Sequence, residues 1–400
     1  MIQTNTPSKS PKRLAGLDAL RGIAALAVVW YHMTHGGELL QSSAAGWPIA
    51  AAAMIAKLGH HGVTLFFVLS GFVIPWSLQN QIIATHSNSS VARLASFIRF
   101  FVRRFLRLQP PFLAACIIIL ALNWLSSRTS SYTGTWAATP TDLAISLASD
   151  NLFITSLLGK KWILVVAWTL ALEIQFYFLA GLAEPFLSPM VPNKAYQIRL
   201  LIAILAMAVG GYLIPQPNLI FRSLPIFAVG WLLAHRTLKP HRSQLFGLAI
   251  SLLLIDAWAG PEAMAMTLLS MALLLLAIHR PHVFPRQLMA VGTISYSLYL
   301  IHVPIGGRVI NLFSRFQPNT WQWLVISLLA GLISLVAAWV FYRLVEVPSQ
   351  KLSRRASFWS KPLPSNAPSA GFAPHPPDQQ VRRRADHDAA AQLRPPGRGG

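Results

Sequence analysis

Ten separate stretches of this chain are apolar over the length a helix needs to cross a bilayer, which constrains the fold more than any other feature. They run near 17–35, 61–79, 109–126, 162–183, 198–214, 218–234, 243–259, 263–279, 288–306 and 321–343. Backbone amides in hydrocarbon have no water to bond and must close on one another within each segment. The expected fold class is therefore all-α, a polytopic membrane helix bundle of about ten transmembrane helices. Charged residues make up 11% of the 400 positions, about half the share of a soluble domain.

The net charge of +21 raises the question of nucleic acid, but the cations fall in short loops between apolar runs. Topology explains them better, and no nucleic-acid partner is expected. With the N-terminus inside, the inner loops carry nineteen Lys and Arg before the tail, and the outer loops six. That bias places both termini in the cytoplasm of a multi-pass protein of the cell (inner) membrane. Lys9, Lys12 and Arg13 ahead of an apolar run resemble a signal peptide, but Asp18, Arg21 and His32 fit an uncleaved first span better. The chain divides into a basic N-terminal segment (1–13), a transmembrane domain (14–355) and a Pro- and Arg-rich tail (356–400) expected to be disordered. In the long outer loop, residues 142–158 read as a short amphipathic helix or lid. No repeat relates the two halves, which counts against common transporter architectures.

Polar residues inside the apolar runs point to function. Arg21 and His32 are eleven residues apart on the first run, so they share a face about 20° off register and lie roughly 16 Å apart along the axis. An arginine in a membrane span is costly, roughly 3 kcal/mol, and by default faces the protein interior. Glu173 sits mid-span with Thr169 and Tyr177 one turn to either side. Its readings are a polar clamp between helices or a part in proton transfer or acceptor binding. Ser295, Tyr299 and His302 form a second stripe, with Tyr296 beside it. His302 reads as a structural residue, or as a partner of His32 in a shared polar cavity. His35 is expected at the outer interface.

His32 is the best general base in the chain, because a desolvated imidazole keeps a basic nitrogen near pH 7. No Gly-x-Ser-x-Gly elbow supplies a nucleophile, which favours direct transfer between two bound substrates. No metal is expected: no His pairing of ligand spacing falls in the spans, and the adjacent His60 and His61 should diverge on a helix. Cys116, the only cysteine, reads as a buried packing residue and excludes a disulfide. The cluster of Arg99, Arg103, Arg104 and Arg107 before Pro110 and Pro111 reads as an anchor on membrane lipid headgroups or as a phosphate site. In the second reading Arg104 and Arg107, three residues apart, fork a diphosphate.

Several of these segments together resemble the acyltransferase family 3 membrane proteins, which O-acylate carbohydrates. Arg21 and His32 meet that family's Arg-x10-His signature. Ser70-Gly71-Phe72 is similar to its second-span motif, and Arg104 with Arg107 to its Arg-x-x-Arg pair. The stretch from Trp168 through Glu173 and Gln175 to Tyr177 resembles another, as do Ile294 to His302 and Tyr342 to Pro348. Thr64, Gln109 and Ile174 depart from the usual residues. The resemblance implies an acyl-CoA co-substrate from the cytoplasm and a carbohydrate or lipid-linked glycan acceptor. It implies a catalytic set of His32, Arg21 and Glu173, a donor side of Arg103, Arg104, Arg107 and Ser70, and an acceptor side of Tyr177, Tyr296, Tyr299 and His302. Glu346 reads as structural. The rival is a transporter or flippase lined by the same buried charges, and a non-catalytic export scaffold is a third possibility.

Overall fold

The computed structural model describes residues 15–41, 46–85, 90–128, 139–187, 193–214, 216 and 218–355. The expected segments 1–13 and 356–400 lie outside them. All regular structure among the described residues is helical, as the apolar runs require. The helices are α1 (Ala15–Met33), α2 (Gly46–Leu58), α3 (Gly62–Thr85), α4 (Ser90–Ser127), α5 (Pro140–Asn151), α6 (Ala167–Leu187) and α7 (Asn193–Leu213). They continue with α8 (Leu224–Leu238), α9 (Arg242–His279), α10 (Arg286–Thr293), α11 (Ser295–Phe313), α12 (Thr320–Phe341) and α13 (Val347–Arg355).

By length and composition, five helices among the described residues can cross a membrane, or six when the bent pair α10–α11 counts as one. The ten apolar runs correspond to these elements less simply than expected. Runs seven and eight form the single element α9, broken at Gly260 (φ 86°, ψ 172°) just before Pro261. Run nine is split at Ile294, where α10 and α11 meet at 72°. Run four is a shorter apolar helix, Ala167–Ala183, and α8 has 15 residues. Within the 142–158 stretch, only α5 is helical, and Thr139 caps it by accepting from the Asp142 amide.

Large apolar side chains on the outside of α7, α9 and α12 are exposed, among them Leu201, Leu205, Leu253, Val325, Leu332 and Val336. So wide an apolar surface suits lipid rather than water. In the interior, α1 packs against α3, α9, α10, α11 and α12, so the helix carrying Arg21 and His32 is central. Small residues permit these approaches. A Cβ on Gly292 would fall 1.6 Å from the Asp18 carbonyl oxygen, and one on Gly71 2.1 Å from that of Phe227 on α8. Ser70 and Gly71 thus divide the work of their motif: the glycine admits α8, while the serine is free to face the other way. Cys116 is fully buried among apolar neighbours, as expected.

Candidate active site

One cavity of about 610 Å³ gathers most of the polar side chains that the sequence singles out. Arg21 comes from α1, Ser70 from α3, Arg104 and Arg107 from α4, Glu173 and Tyr177 from α6, and Tyr296 and Tyr299 from α11. Helical spacing accounts for the convergence, since each pair on one element is three or four residues apart.

The groups form a connected network. Ser70 Oγ donates to Glu173 Oε1 at 2.9 Å, and the Tyr177 hydroxyl donates to the same oxygen. Arg104 Nη1 donates to the Tyr177 hydroxyl at 3.2 Å, and its guanidinium lies 5.1 Å from the Tyr177 and Phe100 ring centres. Glu173 is therefore the acceptor at the centre of a hydrogen-bonded clamp across α3 and α6. Tyr296 donates to the Leu108 carbonyl at 2.8 Å, holding α11 to α4. Arg21 Nη1 lies 3.9 Å from Asp18 Oδ1 one turn earlier. Arg107 is exposed, so the cavity opens outward at its arginine end.

His32 and His302 do not line this cavity. Their rings are 5.1 Å apart, and His302 is completely buried. Its Nδ1 donates to the Leu298 carbonyl, which leaves Nε2 an acceptor without a hydrogen-bond partner. Between this pair and the arginines stands Tyr299, its ring 5.9 Å from both Phe66 and His302 and its hydroxyl 2.6 Å from Thr169 Oγ1. Tyr299 and Phe66 both belong to the cavity wall, and Tyr299 thus borders the cavity while its ring also neighbours His302. His32 is half-buried, with the Tyr31 ring on its other side. Arg103 also stands off the wall, about 100° around the helix from Arg104. Its Nε donates to Arg99, and its carbonyl accepts from Ser353 of α13.

Other lining groups carry no site role in the sequence reading, where Tyr342 and Glu346 figure only in a motif and as a structural residue. Tyr342 and Glu346 enter the wall through a π-helical turn, Tyr342–Glu346, followed by Gln350 and Arg354. Such turns are rare and frequent at functional sites, and no sequence signal announces one. Glu346 is fully buried and accepts from Ser297 Oγ and from Gln350 Nε2. Two departures from the family pattern have partners of their own: Gln109 donates to Asn151 of α5, and Thr64 Oγ1 lies 3.4 Å from His61 Nδ1. The expectation that His60 and His61 diverge is wrong. They sit in a 3-10 turn, Gly59–His61, and their rings are 3.9 Å apart. His35 is exposed.

Beyond the cavity, Asp150 anchors the segment after α5. It is completely buried, accepting from Thr155 Oγ1 and from the Ile163 amide. Burial raises its carboxyl above the usual aspartate range, against the opposing pull of those hydrogen bonds.

Residues 14–343 match the family model described as an acyltransferase domain. The chain is 23% identical over 396 residues to the O-acetyltransferase OatA of Staphylococcus aureus strain NCTC 8325, covering 87% of this chain and 59% of that protein. It is 30% identical over 174 residues to the acyltransferase MdmB of Streptomyces mycarofaciens, covering 41% of this chain and 38% of that one. The chain thus spans less than two thirds of the length of either relative. No solved structure matches it.

Proposed function

Because this chain belongs to acyltransferase family 3, we propose that it is an integral membrane O-acyltransferase. It moves an acyl group, acetyl in the simplest case, from acyl-CoA to a hydroxyl of a carbohydrate or lipid-linked glycan. The observation that carries the reading is the cavity joining Arg21, Arg104 and Arg107 to Glu173 and Ser70. Guanidinium groups match phosphate oxygens bidentately, and an opening at the arginine end admits a nucleotide-like head with its arm directed inward. Arg21 begins the stretch of roughly 16 Å along α1 that ends at His32. Supporting it is the staphylococcal relative, which is named as an O-acetyltransferase.

In this reaction the neutral imidazole of His32 takes the proton of the acceptor hydroxyl as its oxygen attacks the thioester carbonyl. Collapse of the tetrahedral adduct forms the ester and expels CoA thiolate, which takes the proton back from His32. Atoms and charge balance with no covalent enzyme intermediate. The donor arm must cross the Phe66–Tyr299 layer, so rotation of those rings gates the encounter of thioester and base. Acceptor reaches His32 from the Tyr31 side, and Tyr296 and Tyr299 bound the donor side of the layer.

The test is release of free CoA thiol by the purified protein in detergent, given acetyl-CoA with and without a panel of saccharide acceptors. Release that depends on acceptor and falls at least about 100-fold in His32→Ala, with folding unchanged, is expected of a general base. Equal release by that variant would overturn the mechanism. Movement of intact solute by vesicles holding the protein, without thiol release, would favour transport instead.

A further inference from the structure

We propose that His60, His61 and Glu262 form a binding site for a divalent cation of the zinc class, separate from the arginine cavity. The three residues each offer one ligand atom, and those atoms lie within 4.8 Å of one another. Two imidazole nitrogens and a carboxylate oxygen, with a fourth position left to water, are a donor set that zinc favours.

The surroundings are those of a metal site rather than of a chance cluster. His60 Nδ1 donates to the Lys57 carbonyl at 2.7 Å, which leaves Nε2 as the basic nitrogen of that ring. His61 Nδ1 faces the Thr64 hydroxyl at 3.4 Å, and its Nε2 faces Glu262 Oε1 at 3.1 Å. Two ligands of a tetrahedral zinc about 2.0–2.1 Å from the metal stand about 3.3 Å apart, close to this separation. Because a hydroxyl both donates and accepts, Thr64 supports either tautomer of His61. Binding then needs the proton between Nε2 and Oε1 to move to Nδ1, where the Thr64 oxygen accepts it, and the exposed His60 and Glu262 side chains to close in on the cation. No net proton is released.

The site has a defined place in the fold. His60 and His61 occupy the turn joining α2 to α3, and Glu262 follows the Gly260–Pro261 break of α9, 201 residues beyond His61. Both His60 and Glu262 are exposed, so a cation reaches them without opening the bundle. The His60 ring is 5.6 Å from Tyr31, whose ring is 5.2 Å from His32. A cation here ties the α2–α3 turn to α9 beside the half-buried face of α1.

The experiment uses the full chain in detergent, with any affinity tag removed, stripped by chelator and titrated with zinc alone. Calorimetry and metal analysis after gel filtration should give one equivalent bound, with a rise in the unfolding temperature. Glu262→Gln and His60→Asn change exposed side chains and keep the fold. Each should weaken zinc binding about tenfold or more and abolish the thermal shift, and Thr64→Val, which takes the hydrogen-bond partner from His61 Nδ1, should weaken it about 10–100-fold. Stoichiometric binding unchanged in Glu262→Gln and His60→Asn, or no equivalent retained by the unsubstituted protein, would overturn the proposal. The latter outcome would leave His61 and Glu262 as a plain hydrogen-bonded pair.

Discussion

Arg104 has several tasks at once: it flanks the Phe100 and Tyr177 rings, donates to the Tyr177 hydroxyl and lines the cavity. If it also meets the donor's phosphates, Arg104→Ala should raise KM for acetyl-CoA roughly tenfold, the worth of one charge-assisted hydrogen bond, and change kcat less. Arg104→Lys keeps the charge but loses the fork and should fall between. Initial rates of thiol release against donor concentration decide this; an unchanged KM would make the arginine a lipid anchor. Much of the site at this scale was legible from helical spacing alone. Arg104 with Arg107, and Glu173 with Tyr177, must share faces wherever the helix goes. What spacing could not tell is depth. Arg21 and His32 lie on one face of α1, yet only the first lines the cavity, whose wall includes Phe66 and Tyr299 from other helices.

Among helices, the approach of α10 to α1 is the most demanding. Gly292→Ala would set a methyl 1.6 Å from the Asp18 carbonyl oxygen, where only backbone can give way. It should cost about 1–3 kcal/mol, visible as a lower unfolding temperature in detergent. Gly307 on α11 is the control: nothing lies within 4 Å of its added Cβ, so Gly307→Ala should gain about 0.5–1 kcal/mol. Asp150 gives a pH dependence. Its carboxyl is raised in the folded state, so its contribution favours folding below about pH 3.9 and is lost as pH rises through the folded value. Asp150→Asn should flatten that slope, so the variant's melting temperature rises relative to that of the unsubstituted protein between acid and neutral pH. Elements were legible where apolar runs were uninterrupted, as in α12. They were not where a run breaks: a π turn after α12 and the bend at Ile294 depend on neighbours that no local pattern encodes.

At the scale of the whole molecule, the inner and outer charge bias makes a claim about sidedness. Cys116 is the only cysteine and is buried, so Cys116→Ala gives a clean background for labelling. Arg286→Cys and Arg315→Cys replace exposed residues. An impermeant thiol reagent applied to intact cells should label position 315 and spare 286; the reverse pattern would invert the expected topology. The ring layer of Phe66 and Tyr299 then takes on a meaning beyond catalysis. A continuous aqueous thread between the two ends of α1 would carry ions down any voltage across the bilayer. Under the acyl transfer proposed above, rings placed as these are would help keep that thread closed while a small group passes.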